Sequence, residues 1–252
     1  MIRGRAIVFA AAAAAVAAAC VDISDNADSV LSLQFDSLPS PSVVVGDSLR
    51  DTTGAITAPS VRAFNYRGEE IPSPPVRFFA PDPGISVDSI TGVVTGDSLR
   101  STPARIIATV GSLQALQTIQ TTLRPDLVVA LDGRDTLLYS LTDSTRNVSA
   151  ELTVKVTHGT APADSVVRSY IVSFSVAYDG DPRVADLVSG PTVSPLDTTD
   201  ASGIAGRALR IRPLYLLSSV DSVVVNATVK YRGTPINGSP VRLVVVARPQ
   251  TQ

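Results

Sequence analysis

The stretch Val148–Val156, "VSAELTVKV", alternates residue by residue. Its even positions are Val148, Ala150, Leu152, Val154 and Val156, and its odd ones are Ser149, Glu151, Thr153 and Lys155. An apolar residue at every second place turns one face to a core and the other to water, which is the period of a strand and not of a helix. The same phase returns in Tyr170, Val172, Phe174 and Val176, and in Val223, Val225, Ala227, Val229 and Tyr231. These runs are rich in the β-branched and aromatic side chains that suit a pleated surface.

Turn formers separate such runs: "PSP" at 39–41, "PDPG" at 81–84, "DG" at 132 and 179, and "NG" at 237. Short strands punctuated in this way predict an all-β sandwich architecture. The stretch "SLQALQTIQTTL" at 112–123 tempts a helical reading, but Leu113, Ala115, Ile119 and Leu123 share the odd phase and Gln117 alone breaks it. It is therefore expected to be the closing strand of a first module. "LRPD" at 123–126 interrupts the pattern, and a new alternating run opens at Leu127. The expected modules are 28–124 and 127–252.

The first residues, "MIRGRAIVFAAAAAAVAAAC", have a basic start, an apolar middle and a small-residue end, the layout of a signal peptide over 1–19. The apolar middle is about 14 residues, short of the roughly 17–25 that a spanning helix needs. Cys20 is the only cysteine in 252 residues. An exported chain with one unpaired thiol calls for an explanation, and "AAAC" resembles the bacterial lipobox, which implies lipidation of Cys20. Several acyl chains on one residue hold a protein on a membrane where one would not. Residues 20–27 are then the lipidated cysteine and a polar, acidic tether with the composition of a disordered stalk. Val21 follows the cysteine, and the aspartate that favours inner-membrane retention in some bacteria comes one place later, as Asp22, so the outer membrane is expected.

Removing two of the 21 basic residues with the signal, against 23 acidic ones, leaves a net charge of −4. No basic run remains, which disfavours nucleic acid and anionic lipid as partners.

"GDSLR" occurs twice, as Gly46–Arg50 and Gly96–Arg100. It resembles the nucleophile block of the GDSL esterases, which would make Ser48 or Ser98 a nucleophile. A serine needs a histidine base oriented by an acid, and that family supplies the pair as Asp-x-x-His. The single histidine here is His158, and Lys155 stands three residues before it. Nor does a helical period follow the first copy, where "DTTGAITAPS" runs from Asp51. The expectation is no catalytic residue: a tight glycine-aspartate bend, with the next leucine, Leu49 or Leu99, entering a core.

The longer pattern resembles bacterial Ig-like domains of group 2. An apolar strand with a Gly-Asp pair spans Val43–Asp47, "YRGEEIP" fills 66–72, and "VRFFAPDPGISVD" fills 76–88, with Phe78 or Phe79 near the place of the family's common tryptophan. "GVVTG" at 92–96 and a strand through Ala108–Val110 complete the match. The second module resembles the invasin-type, group 1 domains, with Thr199, Asp200, Gly203 and Ala205 in their Thr-Asp-x-x-Gly-x-Ala turn. These resemblances imply two tandem immunoglobulin-like β-sandwiches serving as stalks, spacers or adhesive modules, without catalysis.

Asp179, Asp181 and Asp186 cluster in one stretch and Asp197 and Asp200 in another, and calcium takes several oxygens converging from such loops. They lack EF-hand spacing, and turn aspartates more often bond their own backbone, so neither a metal nor another cofactor is expected. His158 has no histidine or cysteine company for a transition metal and is expected at a surface or edge. The Asn-x-Ser/Thr triplets at Asn147, Asn226 and Asn237, two of them inside predicted strands, are taken as chance. The expected function is a lipid-anchored, non-catalytic envelope module with a protein or carbohydrate ligand that the sequence does not specify; the alternative is a periplasm-facing accessory subunit of an envelope complex.

Overall fold

The computed structural model describes residues 29–159 and 164–250. The signal peptide, Cys20 and the tether lie outside these residues. Among the described residues there is no α-helix, only strands and three single 3-10 turns, Ser144–Arg146, Pro182–Val184 and Pro213–Tyr215. None of the helical segments is long and apolar enough to cross a membrane.

In the first half, strands β1 (Ser32–Phe35) and β3 (Val61–Phe64) pair with each other, as do β5 (Ile85–Val87) and β6 (Val94–Gly96). The main sheet runs β2 (Ser42–Val44), β8 (Leu113–Thr122), β7 (Ala104–Val110), β4 (Arg77–Phe79). Its first strand lies parallel to its last, with Ser42 opposite Gln120 and Val44 opposite Thr122. The stretch at 112–123 is thus a strand. Its odd residues lean inward, culminating in Ile119, while Leu116 is exposed.

The second half has two facing sheets. One contains β9 (Leu127–Asp132), β11 (Leu152–His158), β17 (Ile204–Ile211) and β14 (Ala185–Ser189), with short additions β12 (Ser165–Val166) and β15 (Thr192–Val193). The other runs β10 (Arg134–Tyr139), β21 (Val241–Pro249), β18 (Asp221–Thr228), β13 (Ile171–Ala177), β16 (Leu196–Thr198). A hairpin of β19 (Lys230–Tyr231) and β20 (Thr234–Pro235) projects before the last strand. Lettered A to G in chain order, β9, β11, β13, β14, β17, β18 and β21 give one sheet A-B-E-D and another G-F-C. That is the immunoglobulin strand arrangement. Strand β10 crosses from the first sheet to lie parallel to β21, as β2 lies parallel to β8.

Two apolar clusters follow from this layout. Nine buried residues, among them Val43, Leu49, Phe78, Ile106 and Ile119, fill the first. The second is larger and includes Val154, Phe174, Leu209, Val223, Val225 and Leu243. Burying this much branched aliphatic surface is the main stabilising term in a chain with no disulfide. Of the two adjacent phenylalanines, Phe78 is buried in the first core and Phe79 is exposed.

Three sequence expectations are corrected. Ala150 is exposed while Ser149 is buried, because the strand begins only at Leu152. Ser149 can turn inward since its hydroxyl donates to the Ala150 carbonyl at 2.6 Å and accepts from the Leu209 N–H at 2.9 Å. Leu49 is fully buried as expected, but Leu99 is 53% exposed. Asn147 also lies outside any strand, its side-chain amide bridging the N–H and carbonyl of Ser140.

Candidate functional site at the joint between the modules

The two "GDSLR" copies meet each other. The Gly46 N–H donates to the Gly96 carbonyl at 2.7 Å, and the Gly96 N–H to the Asp47 carbonyl at 3.0 Å. Gly96 lies so close to β2 that an added Cβ would stand 2.6 Å from the Val44 carbonyl oxygen, so only glycine fits. The copies are not equivalent, since Gly46 takes a left-handed φ of 78° and Gly96 does not.

Asp47 is the centre of the first copy. Its side chain is 5% exposed and accepts from the Ser48 N–H at 2.9 Å and from Arg50 through Nε and Nη2, both at 3.0 Å. A third guanidinium nitrogen comes from the other module: Arg232 Nε reaches Asp47 Oδ2 at 2.9 Å. Burial alone would raise the carboxyl's pKa, but Arg50, Arg232 and the Tyr231 hydroxyl outweigh it and hold it well below the usual carboxylate range. Burial, and then its hydrogen bond to the Asp47 carboxylate, pushes the Tyr231 hydroxyl up. Tyr170 is pushed up chiefly by burial, and its hydroxyl donates to the Lys230 carbonyl at 2.7 Å.

The backbone is shaped to bring these groups together. The hairpin β19–β20 turns on Arg232 and Gly233, at φ 52° and 80°, the left-handed pair of a tight hairpin turn. An arginine in that region costs about 1–2 kcal/mol, and here its side chain is held by Asp47. Gly233 seats against Gly54, where a Cβ would stand 2.1 Å from the Gly233 nitrogen. Nearby, the Ser42 hydroxyl donates to the Ser169 carbonyl at 2.6 Å. On the linker, Asp126 holds Arg124 at 2.8 Å and His158 Nδ1 at 2.7 Å, and accepts from the Gly159 N–H at 2.9 Å. Leu123, the last apolar residue of the closing run, packs on the second core.

A cavity of about 230 Å3 opens between the modules, lined by Ser48, Asp47, Tyr170 and Arg232 among others. It falls below the roughly 300–1,000 Å3 usual for ligand pockets. Its chemistry is that of a joint. Asp47 adjoins Ser48, yet a carboxylate held at so low a pKa is a poor proton acceptor. His158 is committed to the linker. Ser98 sits in a turn, its N–H donating to the Gly84 carbonyl at 3.2 Å. We therefore expect neither serine to react with a fluorophosphonate probe, and labelling abolished by Ser48→Ala or Ser98→Ala would contradict this.

Four of the five aspartates considered for calcium bond to neighbouring groups of the chain. Asp181 pairs with Arg183, Asp186 with Arg212, and Asp197 with Arg207. Asp200 accepts from the Ser202 and Ile204 N–H groups, closing the turn that Gly203 completes. Thr199, buried in the same motif, donates to the Val167 carbonyl at 2.8 Å and accepts from the Tyr170 N–H at 2.9 Å.

The joint was not read from sequence. One signal was available: Tyr-Arg-Gly occurs at 66–68 and again at 231–233. In both copies the guanidinium lies over the preceding ring, at 5.1 and 5.3 Å.

No family model and no curated protein matches the chain. Among solved structures, it is similar to the S-layer protein rSbsC(31-844), with a TM-score of 0.32 at 10% identity, covering 88% of this chain and 28% of that one. Domains 5-6 of SbsC give 0.31 at 13% identity, over 88% of this chain and 99% of that one. Human protocadherin-24 EC1-2 gives 0.26 at 13% identity, over 88% and 100%. The immunoglobulin-like assignment rests on the strand order described above.

Proposed function

We infer that the protein is a non-catalytic, lipid-anchored envelope module. Cys20 holds it on a membrane, taken as the outer one, and two sandwiches of group 2-like and group 1-like type stand off that membrane as spacer and binding surface. The observation that supports this most is the joint: charged groups of both modules are spent on fixing their mutual orientation, as a spacer requires and a reaction centre does not. The anchor is tested by fractionation. Wild-type protein is expected in the membrane fraction and Cys20→Ala in the soluble one; an undiminished soluble yield of the unmutated protein would overturn it.

A second reading, an accessory subunit facing the periplasm, is favoured by the outward row Phe79, Ile107 and Leu116 across β4, β7 and β8. Phe79 and Leu116 are 42% and 54% exposed, and β4 is an edge strand. Protease shaving of intact cells separates the two. Loss of residues 127–252 supports surface display, and their protection supports the accessory subunit.

A further inference from the structure

The end of the second module away from the joint carries a groove of about 900 Å3 between the loop after β10 and the loop after β17. Leu141 and Leu214, 76% and 87% exposed, border it, with Tyr215 beside them. Aliphatic side chains left this bare on adjoining loops form a surface that gains by being covered. Ser144 and Thr145, on the same loop as Leu141, also line the groove.

Charge decides what would cover it. The arginines around this end are mostly neutralised: Arg146 pairs with Asp143 at 3.3 Å, Arg183 with Asp181 at 2.6 Å, and Arg212 with Asp186. Of the two arginines that line the groove, Arg212 is paired and Arg210 is not. It is half-buried, it lines the groove, and among the described residues its side chain makes no hydrogen bond or ion pair. A half-buried guanidinium without a partner is a costly arrangement that a carboxylate relieves, through paired N–H bonds matched to its two oxygens.

We propose that this groove binds a protein segment in which one carboxylate is flanked by aliphatic residues, the carboxylate on Arg210 and the aliphatic side chains on Leu141, Leu214 and Tyr215. A phosphate backbone would need several free cations, and the groove offers one. A fatty acid would need an enclosed apolar pocket, whereas this groove is open to solvent and edged with hydroxyls that suit a peptide backbone. The proposal deepens the reading of a binding module but fails separately from it, because the anchoring and shaving tests do not depend on the groove.

The test uses the full chain in lipid nanodiscs over an immobilised library of hexapeptides built from Leu, Ile, Val and Gly with one variable residue, Asp, Glu, Asn, Gln or Lys. Wild-type protein is expected to prefer Asp and Glu peptides at least tenfold over their Asn and Gln counterparts. Arg210→Gln is expected to lose that preference. Leu214→Ser, a change at a bare side chain that folding does not need, is expected to weaken capture of all acidic peptides while the melting temperature stays put. Acidic peptides captured equally by Arg210→Gln, or no acidic preference in the wild type, would overturn the proposal. So would thermal stabilisation by nonanoate that depends on Arg210 with no peptide selected, which would make a free aliphatic acid the occupant.

Discussion

Phe174→Ala is expected to lower the stability of the second module by about 3–5 kcal/mol, the usual cost of removing a buried phenylalanine ring. Phe174 is 2% exposed on β13 and sits in the larger core with Val225, Leu209 and Leu243. Its neighbours are held on strands paired on both sides, so the cavity cannot close by a simple local collapse. The measurement is hydrogen exchange followed peptide by peptide in urea. Amides of β18 and β21 are expected to lose protection by about a hundredfold or more, since each 1.4 kcal/mol is a factor of ten. Those of β7 and β8, which surround the other core, are expected to keep theirs. Equal loss in both sets would mean that the joint makes the two cores a single cooperative unit.

Asp47→Ala carries the second largest effect, about 2–3 kcal/mol. Charged hydrogen bonds contribute about 1.5–3 kcal/mol each, but Arg50 and Arg232 are 23% and 52% exposed and recover part of that loss in water. The loss of orientation should be larger than the loss of stability. Small-angle scattering is expected to show a broader spread of inter-module distances for Asp47→Ala, with both cores intact by circular dichroism. The pH dependence has a definite sign. The folded Asp47 carboxyl binds its proton more weakly than the unfolded one, so unfolding takes up a proton in acid. Its contribution is therefore complete above about pH 4, the ordinary aspartate range, and declines as the pH falls towards the folded value. Asp82 and Asp181, held to about 2 by Arg105 and Arg183, act in the same direction. Asp47→Ala is expected to flatten part of the acid slope in urea titrations between pH 5 and 2.

Strand content was legible wherever the interior is purely apolar. Val223, Val225, Ala227 and Val229 alternate because each must leave water, and all four are buried. The reading failed where polar groups enter the interior by satisfying one another. Ser149 took the place expected for Ala150 through two hydrogen bonds, one of them to a strand 60 residues away in sequence. It failed again at the second "GDSLR", where the strand context differs and Leu99 has no core to enter. The joint was out of reach for a related reason. Asp47 and Arg232 are 185 residues apart, and no local period records that a hairpin turn in one module will meet a bend in the other. The Arg210 groove is equally silent in sequence, since a guanidinium lacking a partner is defined only by what folds around it.

The parallel pairing of β2 with β8 and of β10 with β21 has a mechanical side. In each of these pairs the two strands run in the same direction, so a pull along the chain loads them in shear. Their ladder must give way all together, unlike the bond-by-bond peeling of a hairpin pulled from its open end. Six residue pairs join β10 to β21, and three join β2 to β8. Under tension the module nearer the N-terminus is thus the weaker link. It would yield first and lengthen the chain while the Arg210 groove at the far end kept its shape.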